Sequence, residues 1–175
     1  MLDATALRII DWVREIGLTV RFAPLDAETF LPGVTLEAGG LVVDPERLLY
    51  PGDLLHEAGH LAVMLPARRA SAGADVGTDM GDEIGAQTWS YAAAVHLRLA
   101  PEVVFHPQGY KGAAESLIVA FADGNAGVPL LQWMGLTWDR KQAAAQGVAP
   151  YPNMTRWLRG EADPGADATD DAADH

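Results

Sequence analysis

Residues 51–65, PGDLLHEAGHLAVML, constrain the fold of this chain more than any other stretch. A Pro-Gly-Asp sequence opens a predicted helix here and Pro66 helps to end it, as expected for these residue types. The helix is apolar on nearly every side, so we expect it to lie inside the protein rather than on its surface. His56 and His60 lie within it, and buried imidazoles need polar partners.

The spacing of these histidines is typical of a metal site. Four residues apart on a helix of 3.6 residues per turn, His56 and His60 project from one face, and Glu57 can reach the same point. Two imidazole nitrogens at this spacing can hold Zn²⁺, beside which a carboxylate can accept a proton from a water of lowered pKa. We therefore predict His56 and His60 as zinc ligands and Glu57 as the catalytic acid/base. The alternative is a histidine pair on a solvated face, which the apolar neighbours disfavour.

Gly59 lies in the interior of the same helix. Glycine there costs roughly 1 kcal/mol relative to alanine. The residue is best explained by another backbone or side chain that approaches closely at this point. The sequence thus predicts a second element packed tightly against the HEAGH helix.

A catalytic zinc site normally takes a third protein ligand and leaves one position for water. The acids downstream that compete for this role are Asp75, Asp79, Asp82 and Glu83. Glu83, in the first turn of the next predicted helix, can lie across the HEAGH helix, and we predict it as the third ligand. Its helical neighbours Gln87 and Ser90 could orient it by a hydrogen bond. The alternative role for Glu83 is simple compensation of the helix dipole.

The remaining pattern predicts an α+β fold, in which a small twisted sheet packs on two central helices. An exposed, glycine-rich loop is predicted before the second central helix, which Asp82 is expected to cap. The predicted helices are 4–16, 51–65, 82–100 and 113–123, with two short ones within 129–147. The predicted strands lie within 18–25 and 34–44, the loop spans 66–82, and 151–158 is expected to pack back on the body.

Length and charge limit the classes of protein to which the chain can belong. The 175 residues suit one domain, predicted as residues 1–160, with a disordered acidic tail at 161–175. With 12 basic and 24 acidic residues the net charge is −12, which disfavours nucleic-acid binding. No apolar run reaches the roughly 20 residues that cross a bilayer, and Asp3 replaces the positive charge of a signal peptide. We therefore expect no membrane association and a cytoplasmic location.

Two further features bear on substrate binding. If the strand around Leu41–Val43 forms a sheet edge, an extended peptide could add to it by backbone hydrogen bonds; an ordinary edge strand is an equal alternative. Tyr91, His96 and His106 are candidates for stabilising an oxyanion, although packing or surface exposure explains each of them better. The sequence names no clear residue for that role.

Two segments together resemble the ImmA/IrrE-type peptidases, within the gluzincin class of metallopeptidases. These segments are GGLVVDPERLLYPGDLLHEAGHLAV and EIGAQTWSYAAAVHLRLAPEVVF, so the resemblance covers about residues 39–105. Glu83, Ala86 and Gln87 occupy the E-x-x-A-N positions of that family, with glutamine where asparagine is usual. No helix-turn-helix, with which such peptidases are often associated, stands in this chain.

The resemblance implies a zincin-like fold with the HEAGH helix at its centre. It also implies a minimal zinc endopeptidase acting on a protein or peptide, with ligands His56, His60 and Glu83 and with Glu57 as acid/base. Two other classes of protein remain open. One is a metal-binding scaffold or partner-recognition protein without proteolytic activity, and the other is a hydrolase of small amides.

Overall fold

The computed structural model describes residues 2–26, 29–77, 79–110, 112–124 and 126–161. Within these ranges the chain forms eight α-helices and one three-stranded mixed sheet, which confirms the predicted α+β fold. The helices are α1 Ala4–Glu15, α2 Asp53–Val63, α3 Pro66–Ala70, α4 Met80–His96, α5 Pro107–Tyr110, α6 Ala114–Ala122, α7 Val128–Trp133 and α8 Arg140–Gln146. The strands are β1 Val20–Phe22, β2 Val34–Glu37 and β3 Gly40–Val43. Residues 162–175 of the predicted tail lie outside the described residues.

The sheet places β3 between β1 and β2. β2 and β3 form an antiparallel hairpin whose turn is Ala38 and Gly39, both with positive φ, so the turn uses the first but not the second glycine of the Gly39-Gly40 pair. Gly40 instead begins β3, where a Cβ atom would stand 2.1 Å from the Thr19 hydroxyl oxygen. β1 adds to the other side of β3 in parallel, with Val20 opposite Leu41.

The prediction that Leu41–Val43 forms a sheet edge is therefore wrong. This strand is β3, and both of its sides are paired. The pairing of β3 with β1 is non-local, so no local pattern in the sequence reveals it. Among the described strands, β2 lies at one edge and β1 at the other.

Helix α2 is the buried centre of the fold, as its apolar sequence predicts. Every residue of α2 is buried except Glu57, which is half-buried. The helix packs on β2, β3 and α1, and most extensively on α4. The α4 backbone passes closest at Gly59, which confirms the predicted close approach. The Ser90 hydroxyl of α4 also donates to the Leu55 carbonyl, 3.0 Å away, and joins the two helices.

The segment after α2 is more ordered than the predicted loop at 66–82. Its first residues form α3, from which the Arg69 guanidinium donates to the carbonyl oxygens of Leu61 at 2.7 Å and Met64 at 2.8 Å. These carbonyls belong to the last turn of α2 and the residue after it, where helical partners are missing. The same guanidinium reaches the Arg159 carbonyl at 2.8 Å, so α3 binds the C-terminal segment as well.

Helix α4 begins two residues earlier than predicted, and Asp82 does not cap it. The N-cap is Asp79, whose carboxylate accepts from the backbone N–H groups of Gly81 and Asp82. The Asp82 carboxylate instead pairs with the Arg68 guanidinium of α3. Asp79 and Asp82 thus have different roles, the first as the cap of α4 and the second as the ion-pair partner of α3.

The segment 151–158 packs back on the body, as predicted. Trp157 packs edge-on against Trp12 of α1 and Trp89 of α4, with ring centroids 4.8 and 5.6 Å away. The Trp89 indole N–H donates to the Trp157 carbonyl at 2.9 Å. In the described part of the chain, the helices are too short or too polar to cross a membrane.

Candidate metal centre

The two histidines of α2 meet at their outer ring nitrogens. The Nε2 atoms of His56 and His60 lie 3.1 Å apart, and the rings are nearly perpendicular. Both side chains are buried, because the faces of α2 on either side of them pack into the core. The predicted four-residue spacing thus brings two nitrogen donors to one point.

Glu83 of α4 brings a carboxylate to the same point. One oxygen lies 3.3 Å from His60 Nε2 and the other 3.8 Å from His56 Nε2. Ligand atoms at roughly 2.0–2.1 Å from a tetrahedral zinc lie about 3.3 Å from one another. Taking one ligand atom from each residue, the three donors lie within 4.8 Å of one another and could hold a metal ion, and a set of two nitrogens and one oxygen is compatible with zinc.

The protonation of the histidines also fits metal binding. Burial and the neighbouring His60 lower the pKa of His56 to about 4, although Glu83 opposes this shift. Burial likewise lowers the pKa of His60, against the opposing carboxylates of Glu83 and Asp82. Both rings are thus neutral at neutral pH, which is the form of imidazole that binds a metal.

Side chains behind the donors hold them in place. Gln87 donates from Nε2 to a Glu83 oxygen at 2.7 Å, as its position one turn along α4 predicts. Ser90 does not contact Glu83 and bonds to the Leu55 and Ala86 carbonyls instead. The Tyr110 hydroxyl lies 3.4 Å from His56 Nδ1, the ring nitrogen that faces away from the donor cluster.

Glu57 lines the cleft beside the three donors. Burial raises the pKa of its carboxyl to about 8, and the nearby carboxylates of Asp53 and Glu83 add to the shift. A carboxyl group in this setting holds its proton more tightly than an exposed glutamate does. The structure thus brings all four predicted site residues to one place.

The candidates for oxyanion stabilisation lie elsewhere. His106 is buried beneath Asp53, to whose carboxylate its Nε2 lies at 3.0 Å, while its Nδ1 accepts the Gly109 N–H. Tyr91 packs among the core aromatic rings and His96 against Trp12. None of these three predicted candidates lines the cleft.

The cleft itself has a volume of about 720 Å³. Its lining includes the two histidines, Glu57 and Glu83, together with residues of the chain before β2, of β2 and of the segment before α4. The larger apolar residues of this lining are Phe30, Leu31, Val34 and Val76. We call these four residues the apolar wall.

Sequence reasoning missed Tyr110 and the apolar wall. Tyr110 follows Glu83 by more than twenty residues and lies on the short helix α5, so no helical or strand period relates it to His56. Leu31 and Val76 lie outside the helices and strands, in segments where a single apolar residue carries no pattern. Only the folded chain brings these residues to the donors.

Comparison with known proteins finds no matching family model and no significant match among curated proteins or solved structures. The resemblance to the ImmA/IrrE-type peptidases therefore rests on the sequence motifs alone. What the geometry adds is the convergence of the residues that those motifs contain.

Proposed function

We propose that this protein is a zinc-dependent peptidase resembling the ImmA/IrrE type, with His56, His60 and Glu83 as metal ligands. The observation that carries the proposal is the convergence of three donors at distances of 3.1 to 3.8 Å, with Glu57 beside them in an open cleft. A cluster that only stabilised the fold would not need to line a cleft. It would also not need to place two neutral imidazoles beside a carboxylate.

The bound ion and the side chains of the protein would contribute different parts of the hydrolysis. When bound, zinc supplies a Lewis acid, a water of lowered pKa and a positive charge that favours ionised Glu57. Glu57 accepts a proton from the water that attacks the peptide carbonyl carbon. It then donates that proton to the nitrogen that leaves as the C–N bond breaks. Gln87 and Tyr110 orient Glu83 and His56 while this occurs.

The edge strand β2 supports a peptide rather than a small amide as substrate. The Leu41 N–H donates to the Thr19 carbonyl, on the side of β3 that faces β1. By alternation the next residue, Val42, faces β2, where it pairs with Thr35. Leu36, which follows Thr35, therefore points its backbone N–H and C=O to the open edge. An extended peptide can bond to such groups beside the cleft.

The decisive experiment compares two substitutions at the site. His60→Ala removes a ligand and should lose zinc in elemental analysis, whereas Glu57→Gln should keep stoichiometric zinc and lose peptide cleavage. Glu115→Gln, on the exposed face of α6, is the matched control and should keep both properties.

The results also separate the competing classes of protein. Zinc held equally by wild type and His60→Ala would refute the ligand assignment. Zinc held by wild type without cleavage of any peptide in a broad library would favour the metal-binding scaffold. Equal cleavage of a dipeptide amide and of longer peptides would favour the small-amide hydrolase, since it would show that contacts beyond the cleaved bond contribute nothing.

A further inference from the structure

We propose that the cleft selects peptides that carry a large apolar side chain next to the cleaved bond. This inference rests on the proposed function, because it names the substrate of the same site. The residues responsible are those of the apolar wall, which line the same cleft as the proposed metal-binding donors.

The apolar wall is fixed to the core on one side and lines the cleft on the other. Val34 is buried in β2, and Leu31 and Val76 are partly buried against the hydrophobic core. A partly buried apolar side chain that also lines a cleft offers a rigid surface on which another apolar group can pack. These three residues therefore form a preformed site rather than a flexible patch.

Phe30 is the most exposed member of the apolar wall. Its side chain is 96% exposed, the highest exposure among the large apolar residues of the described chain. An exposed aromatic ring that continues an apolar surface beside a cleft is a feature of binding sites. A bound apolar side chain would cover the ring and recover that contact area.

The apolar wall and the donors line one cleft, which an extended peptide can enter. Successive side chains of an extended chain point to opposite sides. A peptide that runs along β2 with its carbonyl near the donors therefore directs a neighbouring side chain towards the wall. A cleft of about 720 Å³ lies within the range of sites that enclose a ligand of this size.

The charged residues of the cleft lining also bear on which peptide side chains the cleft accepts. Its lining includes the acids Glu57, Asp75 and Glu83, and no lysine or arginine among the described residues. Asp75 is not among the proposed zinc ligands, so an acidic side chain beside it would meet a like charge, and the described lining offers no basic side chain to pair with. We therefore expect apolar side chains to be preferred and acidic ones to be rejected.

The test measures binding separately from cleavage. The Glu57→Gln protein, with one equivalent of zinc, is titrated in a calorimeter with four peptides that differ only beside the central bond, with Leu, Ser, Lys or Asp. The leucine peptide should bind about tenfold or more tightly than the serine peptide, and the aspartate peptide most weakly.

Val76→Ser in the same background should reduce the ratio of leucine-peptide to serine-peptide affinity several-fold. Val119→Ser, an exposed valine on α6 away from the cleft, is the matched control and should leave the ratio unchanged.

Hydrolysis of the same peptides by the wild-type protein separates this inference from the proposed function. Cleavage without a preference for leucine would contradict the proposed apolar site and would still support the proposed peptidase activity. Selective binding of the leucine peptide without cleavage would support the apolar site and refute the peptidase. Tightest binding of the lysine peptide, equal binding of all four, or no detectable binding would overturn the inference.

Discussion

Gly59 of α2 lies against Ala86 of α4 so closely that a Cβ atom on Gly59 would stand 2.7 Å from the Ala86 carbonyl oxygen. The same Cβ would stand 2.9 Å from the Ser90 hydroxyl oxygen. This contact brings the two helices together within one residue of His60 and within one turn of Glu83. The absence of a side chain at Gly59 thus sets the separation between donors on two different helices.

Gly59→Ala should separate the helices and weaken both the fold and the metal site. Overpacking of this kind costs about 1–3 kcal/mol, against a gain of about 1 kcal/mol in helix propensity. We expect lower stability in urea denaturation and weaker zinc binding in competition with a chelator. Gly73→Ala is the control, because no atom lies within 4 Å of a Cβ at that position. Wild-type zinc affinity in Gly59→Ala would contradict this role of the contact.

Glu57→Gln should stabilise the metal-free protein, increasingly so as the pH rises. The pKa of Glu57 is raised from 4.5 in an unfolded chain to about 8 in the fold. Between these values the folded protein holds a proton that the unfolded chain releases, so Glu57 makes stability fall with rising pH. Removing the charge should relieve this loss by up to about 1.4 kcal/mol per pH unit within that window.

The measurement is urea denaturation of both proteins with a chelator present at pH 5 and at pH 8. The difference in unfolding free energy should be larger at pH 8. Glu115→Gln provides the comparison for loss of an exposed acid and should show little change at either pH. A difference that shrinks between pH 5 and 8 would show that the Glu57 pKa is not raised.

Tyr110→Phe should weaken zinc binding without removing it. The mutation deletes the hydroxyl 3.4 Å from His56 Nδ1, and loss of such an orienting partner typically costs tenfold to about a hundredfold in metal affinity. Competition with a fluorescent chelator gives the value directly. Tyr151→Phe deletes a hydroxyl that bonds to the Thr88 carbonyl instead, so it should lower stability and leave zinc affinity intact. Equal zinc affinity in wild type and Tyr110→Phe would show that the Tyr110 hydroxyl does not support metal binding.

Arg68→Gln should disturb the apolar wall while sparing the donors. The Arg68 guanidinium pairs with Asp82 at the start of α4 and donates to the Val76 carbonyl at 2.9 Å. Without it, Val76 loses its link to α4, and misplacement of a binding contact can cost up to about a hundredfold. We expect a higher KM for a leucine peptide at unchanged zinc content. Arg140→Gln, an exposed arginine on α8, should alter neither quantity.

The sequence predicted the convergence of His56, His60 and Glu83 because local geometry determines their arrangement. The spacing of His56 and His60 follows from the helical repeat, and Gly59 marks where the second helix must approach. Glu83 could be chosen because it lies in the first turn of that second helix. Each of these inferences depends only on residues within one helix or at the start of the next.

Features that depend on contacts between residues distant in sequence could not be predicted from local patterns. The central position of β3 requires Val20 to pair with Leu41, and the role of Asp82 follows from its ion pair with Arg68 of α3. Tyr110 reaches His56 only through the packing of helices that are separated along the chain. Such contacts produce no periodic pattern of residues in the sequence, so they cannot be predicted from local periodicity.

The cluster of Trp12, Trp89 and Trp157 joins α1, α4 and the C-terminal segment, and no tryptophan lines the cleft. Three of the five tryptophans therefore report by their fluorescence on whether the two ends of the described chain remain docked, and a ligand in the cleft would contact none of the five. A peptide or metal titration that changes the emission spectrum would signal a rearrangement transmitted through α4, rather than contact with an indole ring.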